Sequence, residues 1–155
     1  LQLREKQRER VAYGLLEKQF RRYYQEAIRR PGVSGENLVR LLETRLDNVV
    51  FRLGFADSRN QARQIIRHGI IAVNGRKLDI PSAHINEGEQ VGFTARGLRS
   101  EYFKIVQANI RTKHQPSWLS LDPASMTGRV TAPPAIQQGE SHLFNENVII
   151  EYYSR

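Results

Sequence analysis

Arg59, Arg63 and Arg67 recur at i, i+4 and i+8, with Arg76 and Lys77 following shortly after. Guanidinium forks match phosphate oxygens in pairs, so cations at this spacing are suited to gripping a polyanion rather than to making or breaking a bond. Groups that could do bond chemistry are scattered. The four histidines, His68, His84, His114 and His142, lie far apart and form no i, i+4 pair, whereas a metal site needs three or four convergent ligands. There is no phosphate-loop lysine motif, no dinucleotide-binding glycine triplet after a strand and no nucleophile elbow. Glu87 and Glu89 fall in a predicted turn, where solvation accounts for them. The absence of cysteine excludes disulfides and thiolate metal sites within this chain. No enzyme activity, cofactor or metal is therefore expected.

The elements that must position these cations are legible. Ser58 is a good N-cap and Gly69 a good left-handed terminus, so a helix of roughly three turns is predicted between them. That helix places Arg59, Arg63 and Arg67 on one side and Ala62, Ile65 and Ile66 on an adjacent apolar stripe. Asn74-Gly75 between Ile70–Val73 and Arg76–Leu78 calls for a hairpin with a type I′ turn, which needs positive φ at both central residues. The turn displays Arg76 and Lys77 near the basic helix.

Upstream, Leu1–Ala12 reads as a surface helix with Arg4 and Arg8 in register. Glu17–Arg30 reads as a second helix, packing through Phe20, Tyr23, Tyr24, Ala27 and Ile28 and carrying Lys18, Arg21 and Arg22 elsewhere. Ser34 is the expected N-cap of a third. Its apolar stripe of Leu41, Leu42, Leu46, Val49, Val50 and Leu53 runs unbroken from Leu38 to Gly54, long enough to serve two cores. Downstream, Ala83–Ile85 and Gln90–Thr94 are expected strands, Arg96-Gly97-Arg99 a loop, and Ser100–Arg111 a helix. Trp118–Asp122 and Gly128–Thr131 look extended, and Asn145–Tyr153 leans to a short helix.

Charge names the class of partner. Lys and Arg number 24 against 16 Asp and Glu, a net +8 with a pI near 10.2. Residues 1–115 hold 22 basic and 12 acidic side chains (+10), and residues 116–155 hold 2 and 4 (−2). A nucleic acid lying against the first three quarters is the first expectation. A membrane is disfavoured, because no helix pairs a cationic face with an exposed bulky apolar one. The patch shows no exposed aromatics for base stacking, so folded, backbone-rich RNA suits it better than single strands or sequence-read DNA.

Arg45 to Gly75, R-L-D-N-V-V-F-R-L-G-F-A-D-S-R-N-Q-A-R-Q-I-I-R-H-G-I-I-A-V-N-G, resembles the RNA-binding module of the S-four family of ribosomal proteins. The likeness continues through R-E-K-Q, E-K-Q-F-R, L-L-E-T-R-L-D-N, I-P-S, W-L-S-L-D and the terminal N-E-N-V-I-I-E-Y-Y-S-R. That is essentially the whole chain, and it is similar to the bacterial-type protein without its N-terminal arm. Asn60 and Ala83-His84 depart from the family pattern.

The resemblance implies an α+β fold: a helical RNA-binding subdomain of residues 1–44 completed by 132–155, an inserted module over 45–110 with a helix pair on a small antiparallel sheet, and extended segments over 111–131 adding to that sheet. It also implies direct binding to small-subunit ribosomal RNA at a multi-helix junction, early assembly and a part in translational accuracy. Neighbouring ribosomal proteins of the S-five type near the messenger entry region, and contact with messenger RNA, come with it. So does residence in a cytoplasmic or organellar ribosome, with no membrane. The expected RNA-binding residues form two faces: Arg45, Arg59, Arg63, Arg67, Arg76, Lys77 and Arg99 on one, and Arg4, Arg8, Lys18, Arg21 and Arg22 on the other. The alternative is the RNA-recognition part of an rRNA-modifying enzyme.

Overall fold

The computed structural model describes residues 2–134, so the expected helix at Asn145–Tyr153 and most of the 132–155 completion lie outside the described residues. Seven α-helices and one five-stranded antiparallel sheet make the described chain α+β. It divides into two compact units, one holding Leu1–Glu43 and the other Thr44–Pro133.

The first unit is three helices: α1 (Gln2–Tyr13), α2 (Glu17–Arg29) and α3 (Ser34–Glu43). The aromatic face anticipated for α2 is buried through Phe20, Tyr24 and Ala27, while Ile28 stays exposed. Phe20 and Ala27 meet Tyr13, Leu15, Leu38, Leu41 and Leu42 in one core. Ser34 is the first helical residue rather than the cap before it. Asn37, buried on α3, donates its amide to the carbonyls of Ala27, Arg30 and Pro31 at 3.0–3.3 Å, satisfying acceptors that the end of α2 would otherwise leave open. Tyr13 donates its hydroxyl to Glu43 Oε1 at 2.6 Å, joining the end of α1 to the end of α3.

The single helix expected across Leu38–Gly54 is two. α4 (Leu46–Leu53) begins afresh after Arg45, whose backbone is extended (φ −61°, ψ 140°). The stripe continues across the break, with Leu41 and Leu42 in one core and Leu46, Val49, Val50 and Leu53 in the other. The cause is tertiary. Leu46 and Asp47 donate their N–H groups to the carbonyls of Ala83 and Pro81 at 2.7 and 3.0 Å, and Ile85 donates to Thr44 at 2.8 Å. The free donors of α4's first turn are thus met by the segment expected to be a strand at Ala83–Ile85, which is reduced to one antiparallel bridge, Arg45 with His84.

Beyond α5 (Arg59–Arg67), β1 (Ile71–Val73) and β2 (Arg76–Lys77) form the anticipated hairpin, with Asn74 at φ 52° and Gly75 at φ 80° in the turn. β3 (Gln90–Phe93), α6 (Ala95–Leu98), α7 (Glu101–Asn109), β4 (Leu119–Asp122) and β5 (Thr127–Val130) complete the unit. The strand order is β2-β1-β3-β5-β4, with Ala72 opposite both Lys77 and Gly92 and Val91 opposite Gly128. The helix pair α4–α5 shares its core with the sheet and α7, where the rings of Phe55, Phe93 and Phe103 follow one another at 4.8 and 4.9 Å. The helix expected to Arg111 stops at Asn109 and tightens into a 3₁₀ turn, Ile110–Thr112.

Candidate nucleic-acid interface

Helix α5 is held at both ends as its residues require. Ser58 Oγ accepts the N–H of Gln61 at 3.0 Å. At the other end Gly69 (φ 77°) donates to Ile66 O and Ile70 to Ile65 O, a paired closure that needs the left-handed residue. The hairpin tip is fixed just as firmly. Asn74 donates to Glu89 Oε2 at 3.1 Å and accepts the N–H of Gln90 at 3.0 Å. The turn is thereby tied to the start of β3.

The cations on this scaffold fall into two classes. Arg45 is buried, donating through Nε and Nη2 to both oxygens of the equally buried Asp47 at 3.1 and 3.0 Å. Arg63 places Nη1 3.4 Å from Asp47 Oδ2 and also donates to Asn60 Oδ1. Arg59 donates through Nε to the fully buried Asn48 Oδ1 at 3.0 Å, with its guanidinium carbon 4.7 Å from the centre of the Phe51 ring. These three arginines are locked by α4.

Arg67, Arg76, Lys77, Arg96 and Arg99 are exposed, and their side chains make no hydrogen bond or ion pair among the described residues. Two of them close round Gly69: a Cβ there would lie 3.3 Å from Lys77 Cδ and 3.9 Å from Arg96 Nη1. Thr94 holds the corner together, donating to Gly69 O at 2.7 Å and accepting Gly97 N–H at 3.0 Å. The stretch from Arg96 to Arg99, expected as a loop, is built into α6 and the residue after it. Gly97 has a packing reason to lack a side chain. It is buried against Ile70, whose carbonyl oxygen would sit 2.4 Å from any Cβ at that position.

In the first unit Arg4, Arg8, Lys18, Arg21 and Arg22 are all exposed. Arg21 reaches Glu17 at 4.0 Å. Lys6 of the same α1 is instead buried against Glu17 at 2.7 Å. Among the described residues no cluster of three or more His, Asp or Glu could hold a metal, and no helix is long and apolar enough to cross a membrane.

Comparison with known proteins matches residues 1–43 to the ribosomal protein S4/S9 N-terminal domain and residues 44–91 to the S4 domain. The two matches meet at the break between α3 and α4. The chain is 49% identical over 155 residues to small ribosomal subunit protein uS4 of Heliobacterium modesticaldum, covering all of this chain and 74% of that protein. It is 50% identical over 157 residues to uS4 of Roseiflexus castenholzii (100% and 76%), and 48% over 154 residues to uS4 of Dehalococcoides mccartyi (99% and 74%). The chain belongs to the uS4 family.

For this uS4-family chain, the patch anticipated from arginine spacing is brought together in one unit but graded by depth. Arg45 lies in the interior, Arg59 and Arg63 are half-buried and tied down, and Arg67, Arg76, Lys77 and Arg99 project. Two members were not singled out by spacing. Arg96 sat in plain view beside Gly97, but without α6 nothing linked it to Lys77. Phe51 belongs to a different helix and is a half-buried aromatic beneath the patch, packed against the core and covered by Arg59.

Proposed function

We propose that this uS4-family chain is a structural, non-catalytic component of the small ribosomal subunit that binds its ribosomal RNA directly at a multi-helix junction. The observation that carries this is the exposed group Arg67, Arg76, Lys77, Arg96 and Arg99, set on a capped helix, a fixed hairpin and a short helix, with no acidic side chain among the described residues answering any of them. Cations held on a rigid surface order less on binding than a mobile basic tail, and backbone phosphates are the partner that such a surface fits. Arg59 and Arg63 extend the face, and Arg4, Arg8, Lys18, Arg21 and Arg22 of the first unit supply further phosphate contacts. Arg45 acts from beneath, through Asp47.

Family membership supports a place on the ribosome, the cytoplasmic one in this reading, with other small-subunit proteins as neighbours. An S-five-type neighbour near the messenger entry region, contact with messenger RNA, nucleation of assembly and a part in translational accuracy complete the proposal. Footprinting on small-subunit ribosomal RNA tests it: protection should converge on one helical junction, and protection scattered along the RNA would contradict it.

A further inference from the structure

Gly69 ends α5 in a left-handed turn (φ 77°) and is buried, although its neighbours Arg67 and His68 are exposed. Two cations from other elements cover it. A Cβ there would lie 3.3 Å from Lys77 Cδ and 3.9 Å from Arg96 Nη1, and apart from the glycine's own chain neighbours no other described residue comes within 4 Å of that point. The bare backbone lets a lysine stem and an arginine fork lean over one spot, which a side chain would divide. Both carriers are fixed. Lys77 faces Ala72 in the β1–β2 ladder, and α6 is pressed on Ile70 by Gly97 and tied to Gly69 O by Thr94. Neither cation makes a hydrogen bond or ion pair among the described residues. The carbonyls of this corner are already engaged: Ile65 O and Ile66 O accept from Ile70 and Gly69, and Gly69 O and Ile70 O accept from Thr94. Like charges gathered over one point repel, and an anion between them reverses the sign of the interaction. A phosphate diester suits the pair, offering one edge to the planar fork and a further approach to the compact ammonium. One exposed cation holds an anion weakly, because solvent screening and side-chain ordering offset the attraction, so the grip depends on both.

Resting on the RNA-binding reading above, we propose that Lys77 and Arg96 jointly hold a single backbone phosphate of the RNA over Gly69. The RNA strand accordingly passes between β2 and α6, and Gly69 serves the site by leaving the two cations undivided.

The test is filter binding of the full chain to small-subunit ribosomal RNA over a range of salt, for wild type, Lys77→Ala, Arg96→Ala, the double variant and Gly69→Asn, with thermal midpoints as the check on folding. Either single alanine releases the shared phosphate. Each should therefore bind about tenfold more weakly, as expected for one charge-assisted contact. The salt slope of each should be shallower by about 0.9, the mark of one lost phosphate. The double variant should go no further than the singles in affinity or in slope. Asparagine tolerates the left-handed backbone, so Gly69→Asn keeps the end of α5 while placing a side chain between the cations, and it too should lose affinity severalfold. A double variant shallower by about 1.8, with losses that multiply, puts the two cations on separate phosphates and overturns the shared site. Single variants with the wild-type slope, or Gly69→Asn binding like wild type at a wild-type midpoint, overturn it as well. Failure of the wild-type chain to bind the RNA overturns the underlying reading instead.

Discussion

Replacing Arg45 by alanine separates an arginine that builds the RNA face from one that touches RNA. Arg45 and Asp47 are buried together, with side chains 5% and 1% exposed and a separation of 3.0 Å. Removing one member of such a pair leaves the other charge stranded, at a cost of about 3–5 kcal/mol. Asp47 would keep the N–H of Asn48 at 2.7 Å and the longer contact from Arg63 at 3.4 Å. These place the expected loss at the lower end, about 3 kcal/mol, or roughly 12 °C or more in the thermal midpoint of a unit this size. Differential scanning calorimetry reads the midpoint, and filter binding at a temperature where the variant is folded reads RNA affinity. Affinity should then fall by no more than about threefold, with an unchanged salt slope, because no phosphate contact has been lost. A midpoint like that of wild type, together with a slope shallower by about one, would refute the reasoning and put Arg45 on the RNA.

Gly97→Ala should destabilise the second unit by about 1–3 kcal/mol, since the new methyl would meet a backbone oxygen, Ile70 O, at 2.4 Å; a circular dichroism melt checks this. Asn37→Ala leaves carbonyls at the end of α2 without their donor and should cost about 1–3 kcal/mol in a urea titration. Tyr102 donates its hydroxyl to Phe55 O, and burial, then the nearby Asp57 charge, push its pKa up to about 12. Because the folded value is raised, the fold favours the protonated phenol: its stabilising contribution is full below pH 10 and is lost as pH rises through about 12. Ultraviolet titration compared with that of Tyr102→Phe should show Tyr102 ionising late, and Asp57→Asn should bring it earlier. An identical titration in the variant would remove the charge of Asp57 as a cause.

Much of the scaffold was legible because its signals are local. Ser58, Gly69 and Asn74-Gly75 each state a backbone requirement within a few residues, and the structure meets all three. The Thr44–Arg45 break was not legible, because the apolar period runs straight across it. What ends one helix and starts the next is a set of hydrogen bonds to the carbonyls of Pro81 and Ala83 and from the N–H of Ile85, far along the chain. The same distance hid the grading of the cations. Spacing on α5 puts Arg59, Arg63 and Arg67 on one side, but only the packing of α4 brings Asp47, Asn48 and Phe51 to the first two and leaves the third free. Arg96 escaped for a related reason: α6 is a four-residue helix whose place against Gly69 depends on Thr94 and on the absence of a side chain at Gly97.

The most direct test of the central claim is the salt dependence of binding to small-subunit ribosomal RNA, for wild type and for the variant with Arg67, Arg76 and Lys77 all changed to alanine. If about six phosphates are neutralised, the wild-type slope of log K against log salt should be near −5, and the triple variant should be shallower by about 2.7 with an unchanged thermal midpoint. A nearly flat wild-type slope, or a triple variant that keeps the full slope, would contradict RNA binding through this face.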